Sequence, residues 1–218
     1  MPSPATPKQA RALRTREKIL LAAEELLADR LFEDLSIDEI VAAASCSVGS
    51  FYHLFGEKNG LLSDLYTRHS QDVERRLTRI MQSDSGRSVV SQRISKLSRE
   101  LVRYHRQRRG LLRALVLRSH THPATVAAQR PQDMNTVIAR LAKWLAGNED
   151  KRSQQSAAEA ILIMLATIRE CILYPETTAQ ALRISDRRLQ KMLEQMCSDY
   201  LGGPVKNATA RRKKAHAR

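Results

Sequence analysis

Between Ser36 and Lys58 the chain reads SIDEIVAAASCSVGSFYHLFGEK, and this stretch restricts the fold more than any other. Ser36 stands three residues before Glu39, just ahead of an apolar run. That is a capping-box pattern: the hydroxyl takes one free amide of a new helix and the carboxylate reaches back to another. It predicts a short helix from Ile37 to about Ala44. Ser45-Cys46-Ser47 breaks that helix, and Ser47 can cap a second one from Val48 to about Leu54. Two short helices across a three-residue break match a helix-turn-helix. Phe51 and Phe55 are four apart and share a face. With Phe32, Ile37, Ile40 and Val41 they can supply the bulky core that a very small domain requires.

The flanking segments continue in helix. Ile19, Ala22, Ala23, Leu26 and Leu27 recur at helical spacing, on a helix that begins near Gln9 and ends around Asp29–Arg30. Three prolines within residues 1–8 predict a disordered arm before it. After the motif, a longer helix over about 58–82 ends at a polar break containing Gly86. Further helices are predicted over about 89–108, 111–119, from Pro123 toward Leu145, 154–174 and 186–201. The stretch 203–218 is poor in apolar residues and is predicted to be a basic, disordered tail. The fold class is therefore all-α: a helix-turn-helix domain at 9–60 and a helical domain at 61–202, about nine helices and no sheet.

Charge narrows the partners. The 218 residues carry 37 Lys and Arg against 23 Asp and Glu, a net of +14, which points toward polyanions or equally toward a solvated Arg-rich surface. The excess is not in the motif. Residues 1–60 hold 7 basic against 9 acidic groups (−2), 61–202 hold 24 against 14 (+10), and the tail holds 6 against none (+6). If the motif meets DNA, it does so through a few placed groups. The three cysteines, Cys46, Cys171 and Cys197, are scattered and form neither a disulfide framework nor metal-ligand spacing. His120 and His122 lack a nearby acid cluster, so no metal and no cofactor is assigned. No paired acid and base, nucleophile triad or Gly-rich phosphate loop is present, which argues against an enzyme. The start has no apolar core of the signal-peptide kind, and the run Ala160–Ile168 is too short to span a bilayer.

In a helix-turn-helix the start and outer face of the second helix enter the major groove. Here these are Val48, Gly49, Ser50 and His53. Gly49 permits close backbone approach, Ser50 and His53 can bond base edges or phosphates, and Val48 can touch a thymine methyl. Tyr52 lies on a different face from the two phenylalanines and can offer its hydroxyl to a phosphate. Lys58 is poorly placed for the positive N-terminus of its helix, and a nearby phosphate explains it better. Ser36 and Ser47 are caps first, and their amide-rich helix starts can also meet phosphates. Arg11, Arg14 and Arg16 could reach the adjacent backbone or minor groove, or simply be solvated. Cys46 could make binding redox-sensitive or be an inert thiol.

Residues 14–61 resemble the DNA-binding domain of the TetR family of bacterial transcription regulators. The resemblance rests on Arg14-Thr15, Ile19, Ala22-Ala23, Leu26-Leu27, Ser36-Ile37, Ile40, Ala44, Ser47, Gly49, Phe51-Tyr52, Phe55, Lys58 and Leu61 in one register. The chain departs from the family pattern at three positions. The family's turn glycine is Ser45, its following valine is Cys46, and the usual His or Tyr after the Phe-Tyr pair is Leu54. Ser45 takes the turn conformation less readily than Gly, at a cost of about 1 kcal/mol.

The resemblance implies a second domain that binds a small molecule and forms a homodimer. The residues support the dimer independently. From Ala157 to Ile168 only Glu159 and Thr167 are polar, so this helix must be covered on several sides. Ala157, Ala160 and Ile161, with Leu189, Met192, Met196 and Tyr200 on the last helix, are the expected interface, a four-helix bundle about a two-fold axis. The pocket candidates are Tyr104, Leu112, Leu115, Val116, Ser119, Trp144, Met164, Thr167 and Cys171. The expected function is a cytoplasmic, nucleoid-associated bacterial repressor that binds a palindromic operator in double-stranded DNA and is released by a small-molecule effector. The alternative is a DNA-organising protein with the same head and no inducer, for which the basic body and tail leave room.

Overall fold

The computed structural model describes residues 7–84, 88–121, 134–147, 150–176 and 184–202. Among them there are helices and no strand. In chain order they are α1 (Pro7–Leu26), α2 (Ile37–Ala43), α3 (Val48–Phe55), α4 (Lys58–Gln82), α5 (Val90–Gln107), α6 (Arg109–Thr121), α7 (Met134–Ala146), α8 (Lys151–Ile168) and α9 (Asp186–Gly202). A π-helical turn, Arg169–Leu173, extends α8. The predicted helices coincide with these within a few residues. The expected helix start at Pro123, and most of the basic tail, lie outside the described residues. α1 opens at Pro7, inside the stretch read as an arm; proline suits a first helical position because its missing N–H has no partner there.

The chain forms two compact units, and they interleave in sequence. The first draws on Met1–Val73 and Arg108–Pro131, the second on Glu74–Gln107 and Gln132–Arg218. α6 therefore belongs with the helix-turn-helix, which a single boundary near residue 60 did not anticipate. The reason is a close approach of backbones. A Cβ at Gly110 would overlap the Leu27 carbonyl oxygen at the end of α1, so only glycine lets the start of α6 sit there.

The core of the first unit is built around Phe51, which is fully buried. Ile19, Ala23 and Leu27 of α1, Ile40 and Val41 of α2, Leu61 and Leu65 of α4, and Leu111, Ala114 and Leu115 of α6 join it in one cluster, with Phe32 and Leu35 from the loop before α2. Phe51 and Phe55 pack with ring centres 5.2 Å apart. Truncating a buried phenylalanine costs about 3–5 kcal/mol, a large share of the roughly 5–15 kcal/mol that holds an ordinary domain folded. In the second unit α5, α7, α8 and α9 pack on one another. Ile94, Leu97 and Val102 of α5, Leu141 and Leu145 of α7, Ala157, Ala160, Ile161, Met164 and Ile168 of α8, and Leu189 and Leu193 of α9 are buried there. The Ser95 and Ser98 hydroxyls of α5 both donate to Glu194 Oε1 of α9, at 2.8 and 3.3 Å, which satisfies a carboxylate beside that core.

Candidate nucleic-acid interface

The helix-turn-helix is set by its caps. Ser36 Oγ accepts from the Glu39 amide at 3.2 Å, and Glu39 Oε2 accepts from the Ser36 amide at 2.8 Å, completing the predicted capping box at α2. Arg30 adds a contact that the sequence reading missed. Its Nη1 donates to Glu39 Oε1 at 2.5 Å and its Nη2 to the Asp34 carbonyl at 2.5 Å. The end of the α1 segment is thereby tied to the start of α2. Arg30 first, and the Ser36 amide and hydroxyl after it, hold the Glu39 carboxyl down at about 2. No signal in the spacing marks Arg30, because the loop between it and Glu39 has no periodicity.

The turn is carried by Ser45, whose φ of 51° places it in the left-handed region that the family assigns to glycine. Ser47 then caps α3: its Oγ accepts from the Ser50 amide at 3.2 Å. The two hydroxyls also lie 2.9 Å apart, so Ser50 is partly engaged within the motif. On the outer face of α3, Val48, Gly49, Tyr52 and His53 are exposed together, while Phe51 and Phe55 point into the core. Tyr52 is 51% exposed, and its ring stands edge-on to Phe51 with 5.8 Å between centres. The four exposed positions recur as i, i+1, i+4 and i+5, which is one helix face.

Gly49 is the informative member of that face. A Cβ built on it meets no atom within 4 Å. Nothing inside the protein requires a missing side chain there, although glycine in a helix costs about 0.5–1 kcal/mol relative to alanine. Gly60, by contrast, lies against the Phe55 carbonyl at the α3–α4 corner and has an internal reason to be glycine.

The basic groups divide into two kinds. Lys58 Nζ donates to the Glu33 carbonyl at 3.0 Å and sits 4.8 Å from the centre of the Phe32 ring. Burial lowers its pKa, opposed by Glu33 and Asp34. Lys58 thus closes the loop before α2, a partner that sequence spacing did not disclose. Arg16 pairs with Asp64 and lies 5.4 Å from the Phe55 ring centre. Arg11 and Arg14 are exposed on α1, with no side-chain ion pair among the described residues. Burial raises the pKa of Cys46, which disfavours its thiolate form.

The other predicted residues are scattered. Leu112, Leu115, Val116 and Ser119 fall in the first unit, where Leu112 and Leu115 are buried and Ser119 Oγ donates to the Val116 carbonyl at 2.7 Å. Tyr104, Trp144, Met164, Thr167 and Cys171 fall in the second. Tyr104 is buried with the Arg76 guanidinium 5.0 Å from its ring centre. Met164 is fully enclosed, Thr167 bonds the Ile163 carbonyl at 2.9 Å, and Trp144 borders a cavity. Of the expected interface, Ala157, Ala160, Ile161 and Leu189 are buried within the chain itself, Met192 is half-buried, and Met196 and Tyr200 are exposed. Leu162 and Ile163 of α8 are exposed as well. Tyr200 Oη donates to Glu159 Oε2 at 2.5 Å, joining α9 to α8. Among the described residues no group of three or more His, Cys, Asp and Glu is placed to hold a metal, and no helix is long and apolar enough to cross a membrane.

Taken together, α1–α3 and the start of α4 define a helix-turn-helix protein with a helical body. Residues 19–65 match the family model described as bacterial regulatory proteins, tetR family. The head is also similar to the HTH-type transcriptional repressor NemR of Escherichia coli, at 35% identity over 72 residues. That match covers 33% of this chain and 36% of NemR, so the chain spans only about a third of the length of the curated relative. Likeness in fold extends further. A protein described as a TetR-family regulator from Mesorhizobium loti superposes with a TM-score of 0.69 at 15% identity, over 88% of this chain and 97% of that one. A tetR-family regulator from Streptomyces coelicolor gives 0.59 at 18% identity, over 94% and 98%.

Proposed function

We propose that this chain is a sequence-specific, DNA-binding transcriptional repressor that acts as a homodimer and is released from its operator by a small molecule. It carries no enzymatic activity and works in the cytoplasm. The single observation that carries the reading is the face of α3: four exposed positions, with a glycine that the protein itself does not need. Val48 and His53 read base edges there, Gly49 admits the DNA, and Tyr52 and Arg14 hold phosphates. The N-termini of α2 and α3, capped by Ser36 and Ser47, face the same backbone. Lys58 acts from behind, by fixing the loop ahead of α2.

The dimer follows from the sidedness of α8 and α9. Leu162, Ile163, Met196 and Tyr200 remain exposed in one chain, and a second copy covers them. Two heads then meet half-sites about 34–36 Å apart or a multiple of it. An effector that favours a spacing other than this one shifts the population off the operator by its differential affinity.

Footprinting on the DNA flanking the protein's own gene tests the reading. One protected palindrome is the expected result. Diffuse protection with steep salt dependence would instead support the DNA-organising alternative, which the excess of basic residues outside the head favours.

A further inference from the structure

Charge in the first 60 residues is sharply divided. Residues 7–18 hold Lys8, Arg11, Arg14, Arg16 and Lys18 against Glu17 alone, a net of +4. Residues 19–60 hold Arg30 and Lys58, two basic groups, against eight carboxylates, a net of −6. The helix-turn-helix lies on the acidic side of this divide. From Ser36 to Lys58 the only lysine or arginine is Lys58, and its Nζ is bound to the Glu33 carbonyl at 3.0 Å. The arginines between residues 19 and 73 are matched too, Arg30 by Glu39 and Arg68 by Glu17 and Glu24. A protein on duplex DNA neutralises phosphates with lysine and arginine, and this supplies essentially all of its sequence-independent affinity. The motif that reads the groove has no free charge with which to do so.

Within α1, Arg16 is matched by Asp64, and four cations remain. Lys8, Arg11, Arg14 and Lys18 are exposed and have no ion pair among the described residues. Arg11, Arg14 and Lys18 stand at i, i+3 and i+7, which is one helix face, and Lys8 precedes Arg11 by a further three. Lys8 and Lys18 are about 15 Å apart along the helix, a length over which duplex DNA carries about nine charges. This part of α1 lies at the recognition helix. Burial raises the pKa of Cys46 and the charge of Lys18 opposes the rise, so Lys18 is beside the turn that leads into α3. Arg16 reaches the Phe55 ring at the other end of α3, 5.4 Å from its centre. α1 therefore crosses α3 here, and its free cations extend from the crossing toward Lys8. A helix with its side chains is about 10–12 Å wide, against about 6 Å for the minor groove. Such a face can lie against phosphates but cannot enter that groove to read bases.

We propose that the first half of α1 is a phosphate-binding rail, on which Arg11, Arg14 and Lys18, with Lys8 beyond them, lie against the DNA backbone beside the segment that α3 reads. The rail supplies the sequence-independent part of binding, and α3 supplies the sequence preference. This division of labour rests on the DNA-binding reading above.

Salt dependence separates the two roles. The full-length protein is titrated, by fluorescence anisotropy, onto a short duplex of random sequence and onto the DNA flanking its own gene, between about 50 and 200 mM salt. The test variant combines Arg11→Gln, Arg14→Gln and Lys18→Gln. Glutamine suits a helix as well as the residues it replaces, and helical circular dichroism checks the fold. Each phosphate contact adds about 0.9 to the slope of log affinity against log salt, so the variant is expected to lose about 2.7 per bound head on both probes. The ratio of the two affinities stays as it is. Arg11→Lys with Arg14→Lys keeps the wild-type slope, because the contact needs charge alone. An unchanged slope in the triple variant overturns the proposal and leaves the DNA-binding reading in place. A changed ratio shows that α1 reads bases and overturns it too, as does loss of slope in the lysine variant. Wild-type protein that binds both probes equally, with a slope carried by α1, supports the rail and sinks sequence-specific binding alone. Wild-type protein that binds neither probe sinks the DNA-binding reading, and the rail with it.

Discussion

Two residues in the helix-turn-helix are in conflict with their local structure, in opposite ways. Gly49 occupies a helical position where any side chain would fit. Gly49→Ala is therefore expected to raise the stability of the folded chain by about 0.5–1 kcal/mol, measured by urea unfolding. The same variant loses operator affinity in a gel-shift titration, because the added methyl meets the DNA. If stability rises and affinity is unchanged, α3 does not approach DNA through this face. Ser45 is the converse. It sits at a φ of 51° that glycine adopts more readily, and its side chain is exposed in the turn. Ser45→Gly should stabilise the chain by about 1 kcal/mol, visible as a higher melting temperature. Operator affinity should remain as it is, since the turn conformation is unaltered.

At the level of elements, α2 depends on the network of Arg30, Glu39 and Ser36. The Glu39 carboxyl is depressed in the folded state, from an ordinary 4.5 to about 2. Its contribution to stability is thus present above about pH 4.5 and is lost as pH falls through the folded value. Glu39→Gln should flatten that part of the acid unfolding curve, followed by helical circular dichroism between pH 5 and pH 2. An unchanged curve would show that other carboxylates govern acid unfolding. This network also marks the limit of what the sequence discloses. The two caps, the turn and the Phe51–Phe55 pair follow from spacing alone, because each is a relation within about four residues. Arg30 on Glu39 and Lys58 on the Glu33 carbonyl span an aperiodic loop, and nothing local encodes them. The same holds for α6. Its fit beside α1 depends on the absent side chain of Gly110 against Leu27, a tertiary contact that a lone glycine in a sequence does not announce.

For the molecule as a whole, the unresolved choice in the sequence was which side of α8 faces its own chain. A helix that is apolar nearly all round gives no answer by periodicity, because every side satisfies the same rule. The structure separates neighbours. Ile161 is fully buried in the second unit, whereas Leu162, the next residue, is 52% exposed. Placing a charge at each site therefore distinguishes core from interface. Ile161→Glu buries an unpaired carboxylate and is expected to abolish cooperative unfolding or prevent soluble expression. Leu162→Glu leaves the fold of one chain intact, with unchanged helical circular dichroism. It converts the dimer to a monomer by sedimentation velocity, since two like charges would meet across the two-fold axis. Loss of the second head then lowers operator affinity by about a hundredfold or more, because bivalent engagement disappears while each half-site contact remains. A Leu162→Glu protein that is still dimeric would place the interface elsewhere than the exposed stripe of α8 and α9.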